Sequence, residues 1–148
     1  MNLGELLNTK EFKYQVLVTV GQNESVLTAI QKLVDHDRGS LPVCDDKGDM
    51  VGIVTERDIV RRCLARNDIP AKIKVRDIMT KEVIIGLPKD DLDYAISVMK
   101  QKRIRHLPIM DNKKLVGVIS MRDLLGIQLD EYRSQVHLLN SYISGSYR

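Results

Sequence analysis

Apolar positions along the chain change period at regular intervals. Val16–Val20 is rich in β-branched residues and predicts a strand. Ser25 then stands as a helix cap before Val26, Ala29, Ile30 and Leu33, which follow at helical spacing. Ser40–Cys44 and Met50–Val54 flank a polar, glycine-containing turn and predict a hairpin, after which Thr55 opens a closing helix. The order recurs. Val83–Ile85 predicts the strand, Leu92, Ala95, Ile96 and Met99 the helical stripe, and His106–Met110 with Leu115–Ile119 the hairpin around Asp111-Asn112-Lys113. Ser120 opens the second closing helix, so the unit is β-α-β-β-α, twice.

The recurrence extends to individual residues. Ala29-Ile30 pairs with Ala95-Ile96 and Leu41-Pro42-Val43 with Leu107-Pro108-Ile109, at an offset of 66 (108 − 42). Past the hairpin turn the offset is 65, because the Asp46-Lys47-Gly48-Asp49 turn can shorten without moving its flanking strands. There Gly52-Ile53-Val54-Thr55-Glu56-Arg57-Asp58 returns as Gly117-Val118-Ile119-Ser120-Met121-Arg122-Asp123. The organisation expected is an N-terminal segment with the first repeat over 1–66, a linker over 67–80, the second repeat over 81–126 and a C-terminal helical extension with a tail over 127–148. In the linker Val75–Thr80 predicts a short helical turn. In the extension Leu129, Tyr132, Val136, Leu139 and Ile143 are spaced 3, 4, 3, 4, a seam for packing either on the chain's own core or on a second subunit, and Ser144-Gly145-Ser146 predicts a frayed tail.

Composition narrows the class. The 148 residues make about one domain, and repeats of this size would each struggle to bury a core alone, so one folded unit is expected. No apolar run reaches the ~18 residues needed to span a bilayer. Polar Asn2 and the short Leu3, Leu6, Leu7 pattern carry no cleavable signal, so a cytoplasmic location is expected. Cys44 and Cys63 have neither C-x-x-C nor metal-ligand spacing; reduced core thiols and no metal site are expected. A net charge of +3 does not by itself imply nucleic acid.

The repeated heptapeptide carries two readings. Thr-x-x-Asp or Ser-x-x-Asp at a helix start is a capping signal, with the hydroxyl accepting from an early N–H and the acid favouring the positive helix end. Both copies also follow an apolar strand that begins with glycine, so the hydroxyl and carboxylate would face a groove beside a sheet, where a carboxylate could accept the hydroxyls of a ribose.

The paired G-h-h-T/S-x-x-D motifs, the paired Leu-Pro strands, the Ile78-Met79-Thr80 linker and the repeat length together resemble a tandem pair of cystathionine-β-synthase (CBS) domains, the Bateman module, over about Val16–Leu125. The resemblance implies an α+β fold with two repeats packed through their sheets about a pseudo-twofold axis. It also implies two clefts for adenosine-containing ligands such as AMP, ADP, ATP, NAD or S-adenosylmethionine. By that resemblance Asp58 and Asp123 hold ribose hydroxyls, and Thr55 and Ser120 contact ribose or phosphate. Arg105 and His106, entering the second Leu-Pro strand, match phosphate-binding positions; the guanidinium fork suits phosphate oxygens. The alternative for His106 is a partly buried histidine bonded to a carbonyl, and for Lys102 and Arg103 a solvated face. The equivalent positions of the first copy are Gly39 and Ser40, where a base could approach the backbone, so the clefts are expected to be unequal. Arg57 and Arg122 are either phosphate contacts or surface ion pairs; Thr19 and Thr80 are edge contacts by family analogy. With no Trp and one Phe, Phe12, adenine would lie between aliphatic side chains. The first copy departs from the family in having Val20-Gly21-Gln22-Asn23 where the second has Leu87-Pro88, which weakens Thr19 most.

The reading reached is a non-enzymatic regulatory module sensing nucleotide state, on its own polypeptide, forming a homodimer and acting on an unidentified protein. No nucleophile elbow, phosphate loop or metal constellation is present, and His36, His106 and His137 lie in no catalytic motif. The competing class is a phosphate-backbone nucleic-acid binder using Arg57, Arg61, Arg62 and Arg66, without an accompanying aromatic platform.

Overall fold

The computed structural model describes residues 1–144, with the side chain of Ser144 excepted. The tail expected at Ser144-Gly145-Ser146 therefore lies, from Gly145 onward, outside the described residues. The chain starts with two short helices, α1 (Leu3–Leu7) and α2 (Lys10–Lys13). The first repeat follows as β1 (Val20–Gly21), α3 (Val26–Asp35), β2 (Ser40–Cys44), β3 (Met50–Thr55) and α4 (Glu56–Arg62). A linker of 3-10 turns, the last of them Val75–Asp77, leads to α5 (Leu92–Lys102), β4 (His106–Asp111), β5 (Lys114–Ser120) and α6 (Met121–Ser144). The architecture is α+β with two short sheets, β1-β2-β3 and β4-β5.

Both hairpins form where alternation places them, Leu41 opposite Val54 and Leu107 opposite Ile119, each with a bulge at the equivalent position, Val43/Cys44 and Ile109/Met110. The second hairpin is a residue shorter because Asn112 and Lys113 both take positive φ and close a tight turn, whereas the first loops through Gly48. Ser25 caps α3 by accepting from the N–H of Thr28.

Two expected strands need correction. Of Val16–Val20 only Val20 joins the sheet, paired in parallel with Val43; Val16 and Leu17 are exposed. Val83–Ile85 forms no strand, and the matching contact in the second repeat is one bridge, Gly86 with Ile109, in the same register. The backbone at the first site is held by side chains instead: Lys32 Nζ donates to the Thr19 carbonyl at 2.9 Å and Arg38 to that of Val16 at 3.1 Å. The closing helix of the second repeat and the C-terminal extension are one continuous helix, α6, which runs through Gly126.

The two cores exchange their lead-in segments. Leu3, Leu6 and Phe12 are buried with Leu92, Met99, Leu107, Ile109, Ile119 and Leu124 of the second repeat. Val75, Ile78 and Met79, which precede the second repeat, are buried with Val20, Val26, Leu41, Val43 and Val54 of the first. The backbone contacts match pairwise: Leu3 N–H donates to Asp90 O and Gly4 N–H to Pro88 O, as Val75 N–H does to Glu24 O and Arg76 N–H to Gln22 O. This equivalence is the pseudo-twofold relation of the repeats. It also explains the glycine at the head of each heptapeptide: a Cβ at Gly52 would stand 2.7 Å from Met79 Sδ, and one at Gly117 2.8 Å from Leu7 Cδ2. Each glycine makes room for the lead-in segment crossing its strand.

Candidate functional site

The last residue of β3 or β5 and the first turn of the following helix position each hydroxyl–carboxylate pair. Thr55 Oγ1 accepts from the Asp58 N–H at 3.1 Å, and Asp58 Oδ2 accepts from the Thr55 N–H at 3.0 Å. Ser120 and Asp123 do the same at 3.0 and 3.1 Å. Both motifs are thus capping boxes. Capping leaves open what the remaining carboxylate oxygens do, and there the copies diverge.

Asp58 is 8% exposed and engaged on both oxygens. The Thr80 hydroxyl donates to Oδ1 and Oδ2 at 3.2 and 3.4 Å, the Thr55 hydroxyl donates to Oδ2 at 3.1 Å, and Arg62 Nε stands 3.8 Å from Oδ1. Arg62 also donates to the Ile78 and Met79 carbonyls, tying the linker to α4. Asp123 is half-buried and, among the described residues, accepts only from the Ser120 N–H, on Oδ2. The difference lies in one residue of the exchanged segments and one of the closing helices. Symmetry puts Asn8 in the place of Thr80 and Ile127 in the place of Arg62, and neither supplies the same bond to Asp123.

The open carboxylate faces a cleft of about 950 Å³ between the repeats. Ser120, Arg122 and Asp123 border it from the start of α6; Arg105 and His106 from the start of β4; Gly39, Ser40, Arg38 and Glu56 from the first repeat. Between these polar groups its walls are aliphatic, with Val16, Leu17, Val18, Pro42, Val116 and Val118. The irregular Val16–Val18 segment is therefore apolar because it lines a cleft. Gly39 permits the two repeats to meet here, since a Cβ on it would stand 2.9 Å from His106 Nε2. Burial pushes the His106 imidazole below its ordinary pKa, opposed by the carboxylates of Glu56 and Asp123 and reinforced by the Arg105 guanidinium.

Of the expected site residues, the structure brings Gly39, Ser40, Arg105, His106, Ser120, Arg122 and Asp123 to one cleft. Thr55, Asp58 and Thr80 cluster separately. Arg57 is exposed on α4, and Thr19 lies outside the cleft with its hydroxyl beside the Cys44 thiol. Sequence reasoning missed Glu56, Arg38 and the role of Arg62. Glu56 could have been found by symmetry, as it occupies in the first motif the position of Met121, whose N–H donates to the Arg105 carbonyl as that of Glu56 does to Gly39. Among the described residues no group of three or more His, Cys, Asp or Glu could hold a metal ion, and no helix is long and apolar enough to cross a membrane.

The sequence profile of the CBS domain matches residues 10–65 and 75–130. The chain belongs to the CBS domain family. Its two matches form a CBS domain pair, a regulatory module. A mitochondrial CBS domain-containing protein of Arabidopsis thaliana, CBSX3, is 32% identical over 129 residues, covering 84% of this chain and 63% of that protein. The chain spans less than two thirds of the first curated relatives it matches, 63% and 58% of their lengths. A CBS-domain containing protein from Agrobacterium tumefaciens superposes with a TM-score of 0.78 at 30% identity, over 86% of this chain and 99% of that one. The CBS domain pair of protein MJ0100, solved in complex with 5'-methylthioadenosine and S-adenosyl-L-methionine, superposes with a TM-score of 0.76 at 26% identity, over 88% and 98%.

Proposed function

We propose that this CBS pair is a non-catalytic regulatory sensor that binds one adenosine-containing ligand in the cleft at Asp123, with ribose hydroxyls on the free Asp123 carboxylate oxygen. The observation that carries the reading is the unequal engagement of the two acids: Asp123 has an oxygen to offer where Asp58 has none. The surroundings have the matching chemistry. Aliphatic walls suit a purine face, and Arg105, Arg122, Arg38 and His106 offer cationic or hydrogen-bonding groups to phosphate or carboxylate. The cleft volume is that of a pocket for a ligand of nucleotide size. A similar CBS pair binds two adenosine compounds, which supports the ligand class. The reading assigns the Asp58 groove a lower affinity, because a ribose there must displace Thr80 and loosen Arg62.

A thermal-shift panel of AMP, ADP, ATP, NAD, S-adenosylmethionine and a short oligonucleotide tests this. A ligand at about 100 times its Kd stabilises the fold by about 2.7 kcal/mol, or about 5–10 °C for a chain of this size. At least one adenosine compound is expected to give that shift, and Asp123→Ala to remove it. A salt-sensitive shift with the oligonucleotide alone would overturn the reading in favour of phosphate-backbone binding.

A further inference from the structure

The fixed charges bordering the cleft cancel. Arg38, Arg105 and Arg122 stand against Asp37, Glu56 and Asp123. His106 adds no charge near neutral pH, because burial holds its pKa below the ordinary 6.5. Two of the six groups are already committed: Arg38 donates to the Val16 carbonyl at 3.1 Å, and Asp123 is the ribose acceptor in the reading above. Arg105 and Arg122 form no ion pair among the described residues, and neither does Glu56. Glu56 stands where the cationic edge of the cleft meets the first repeat. Its backbone N–H donates to the Gly39 carbonyl at 3.2 Å, a Cβ on Gly39 would lie 2.9 Å from His106 Nε2, and the charge of Glu56 acts on that imidazole. The pseudo-twofold counterpart of Glu56 is Met121, which brings no charge.

We propose that Glu56 is a specificity-determining residue, ranking adenosine ligands by the charge of the 5′ group and penalising each phosphate beyond the first. The proposal rests on the Asp123 cleft being the ligand site. A monophosphate carries about two negative charges, which the two uncommitted guanidinium groups of Arg105 and Arg122 can match. A second or third phosphate adds negative charge with no further uncommitted cation in the cleft and with the Glu56 carboxylate at its edge. The aliphatic walls weaken the screening of that repulsion by water. Removing the charge of Glu56 while keeping its shape should therefore favour the polyphosphates selectively, whereas a general loosening of the cleft would weaken every adenosine ligand together.

The test is titration calorimetry of the full chain with adenosine, AMP, ADP and ATP, in EDTA so that no divalent cation neutralises the phosphates. Wild type is expected to lose affinity from AMP through ADP to ATP. In Glu56→Gln the ratio of ATP to adenosine affinity should rise by about fivefold or more, by an amount that shrinks as salt is added. Glu56→Asp, which keeps the charge, should retain the wild-type order. A wild-type affinity that rises from AMP to ATP, or a ratio unchanged in Glu56→Gln, overturns the proposal and leaves the ligand site standing. Absence of binding by all four compounds overturns the ligand reading of the cleft, and the proposal with it.

Discussion

Alanine at the two motif acids separates stability from binding. In Asp58→Ala the side chain removed is 8% exposed and accepts from the Thr55 N–H, the Thr55 hydroxyl and the Thr80 hydroxyl, with Arg62 beside it. A bond to a carboxylate contributes about 1.5 kcal/mol or more when shielded, and the ion pair adds little because Arg62 is 47% exposed. Allowing for water reaching the released hydroxyls, the loss is about 3 kcal/mol. In Asp123→Ala the bond lost among the described residues is that from the half-buried Ser120 N–H, while Ser120 Oγ still caps the backbone N–H of residue 123, so the loss is about 1 kcal/mol. Binding should go the other way: Asp123→Ala abolishes the calorimetric signal of the best adenosine ligand, and Asp58→Ala leaves it nearly unchanged at a temperature where the variant is folded. Urea unfolding without ligand gives the first pair of numbers and titration calorimetry the second. Equal destabilisation by the two variants, or loss of binding in Asp58→Ala alone, would refute the asymmetry.

The leading glycines make a second matched pair. A methyl at Gly52 meets the Thr80 carbonyl at 2.8 Å, and Thr80 is locked to Ile53 by two backbone bonds, so Gly52→Ala should cost about 2–3 kcal/mol in urea unfolding. At Gly117 the methyl meets only Leu7 side-chain atoms, which can rotate away, and Gly117→Ala should cost about 1 kcal/mol. His106 gives a pH signature: with its folded pKa below the ordinary 6.5, the unfolded chain takes up the proton first, so stability is unaffected above that value and declines as pH falls through it. Glu56 and Asp123 limit this decline and Arg105 deepens it; His106→Gln should flatten it. A phosphate or carboxylate bound beside the imidazole reverses the preference, so ligand binding should strengthen with falling pH and take up a proton, measured by calorimetry in buffers of different ionisation enthalpy.

Helices and hairpins are legible in the sequence because their periodicity and their burial coincide. Val26, Ala29 and Leu33 recur at helical spacing and are all buried, and Leu41 and Val43 alternate toward the core. Val16–Val20 misleads because its apolar character serves a cleft wall, which hydropathy cannot tell from a sheet face. The exchange of lead-in segments was readable in principle: Leu3, Leu6 and Leu7 have the spacing of Val75, Ile78 and Met79. The offset there is 72, however, and not the 66 that reveals the repeats. The inequality of the two acids was not readable from the motif at all, because it is set by Thr80 and Arg62, one on the linker and the other a turn further along α4.

That exchange makes a prediction about the repeats as folding units. A fragment of residues 1–69 contains every strand and helix of the first repeat but lacks Val75, Ile78 and Met79, which are at most 6% exposed in its core. Removing three such side chains takes away several kcal/mol of apolar burial, comparable to the whole stability of a domain this small. It also leaves the N–H and carbonyl of Ile53 without the two bonds from Thr80. A fragment of residues 15–80 is shorter at the N-terminus yet retains the complete buried cluster. The shifted fragment should therefore unfold cooperatively in urea, and 1–69 should show no transition, although the latter holds more of what the repeat pattern marks as the first unit. If 1–69 unfolds as cooperatively as 15–80, the lead-in segments do not complete the cores, and the symmetric glycines would need another explanation.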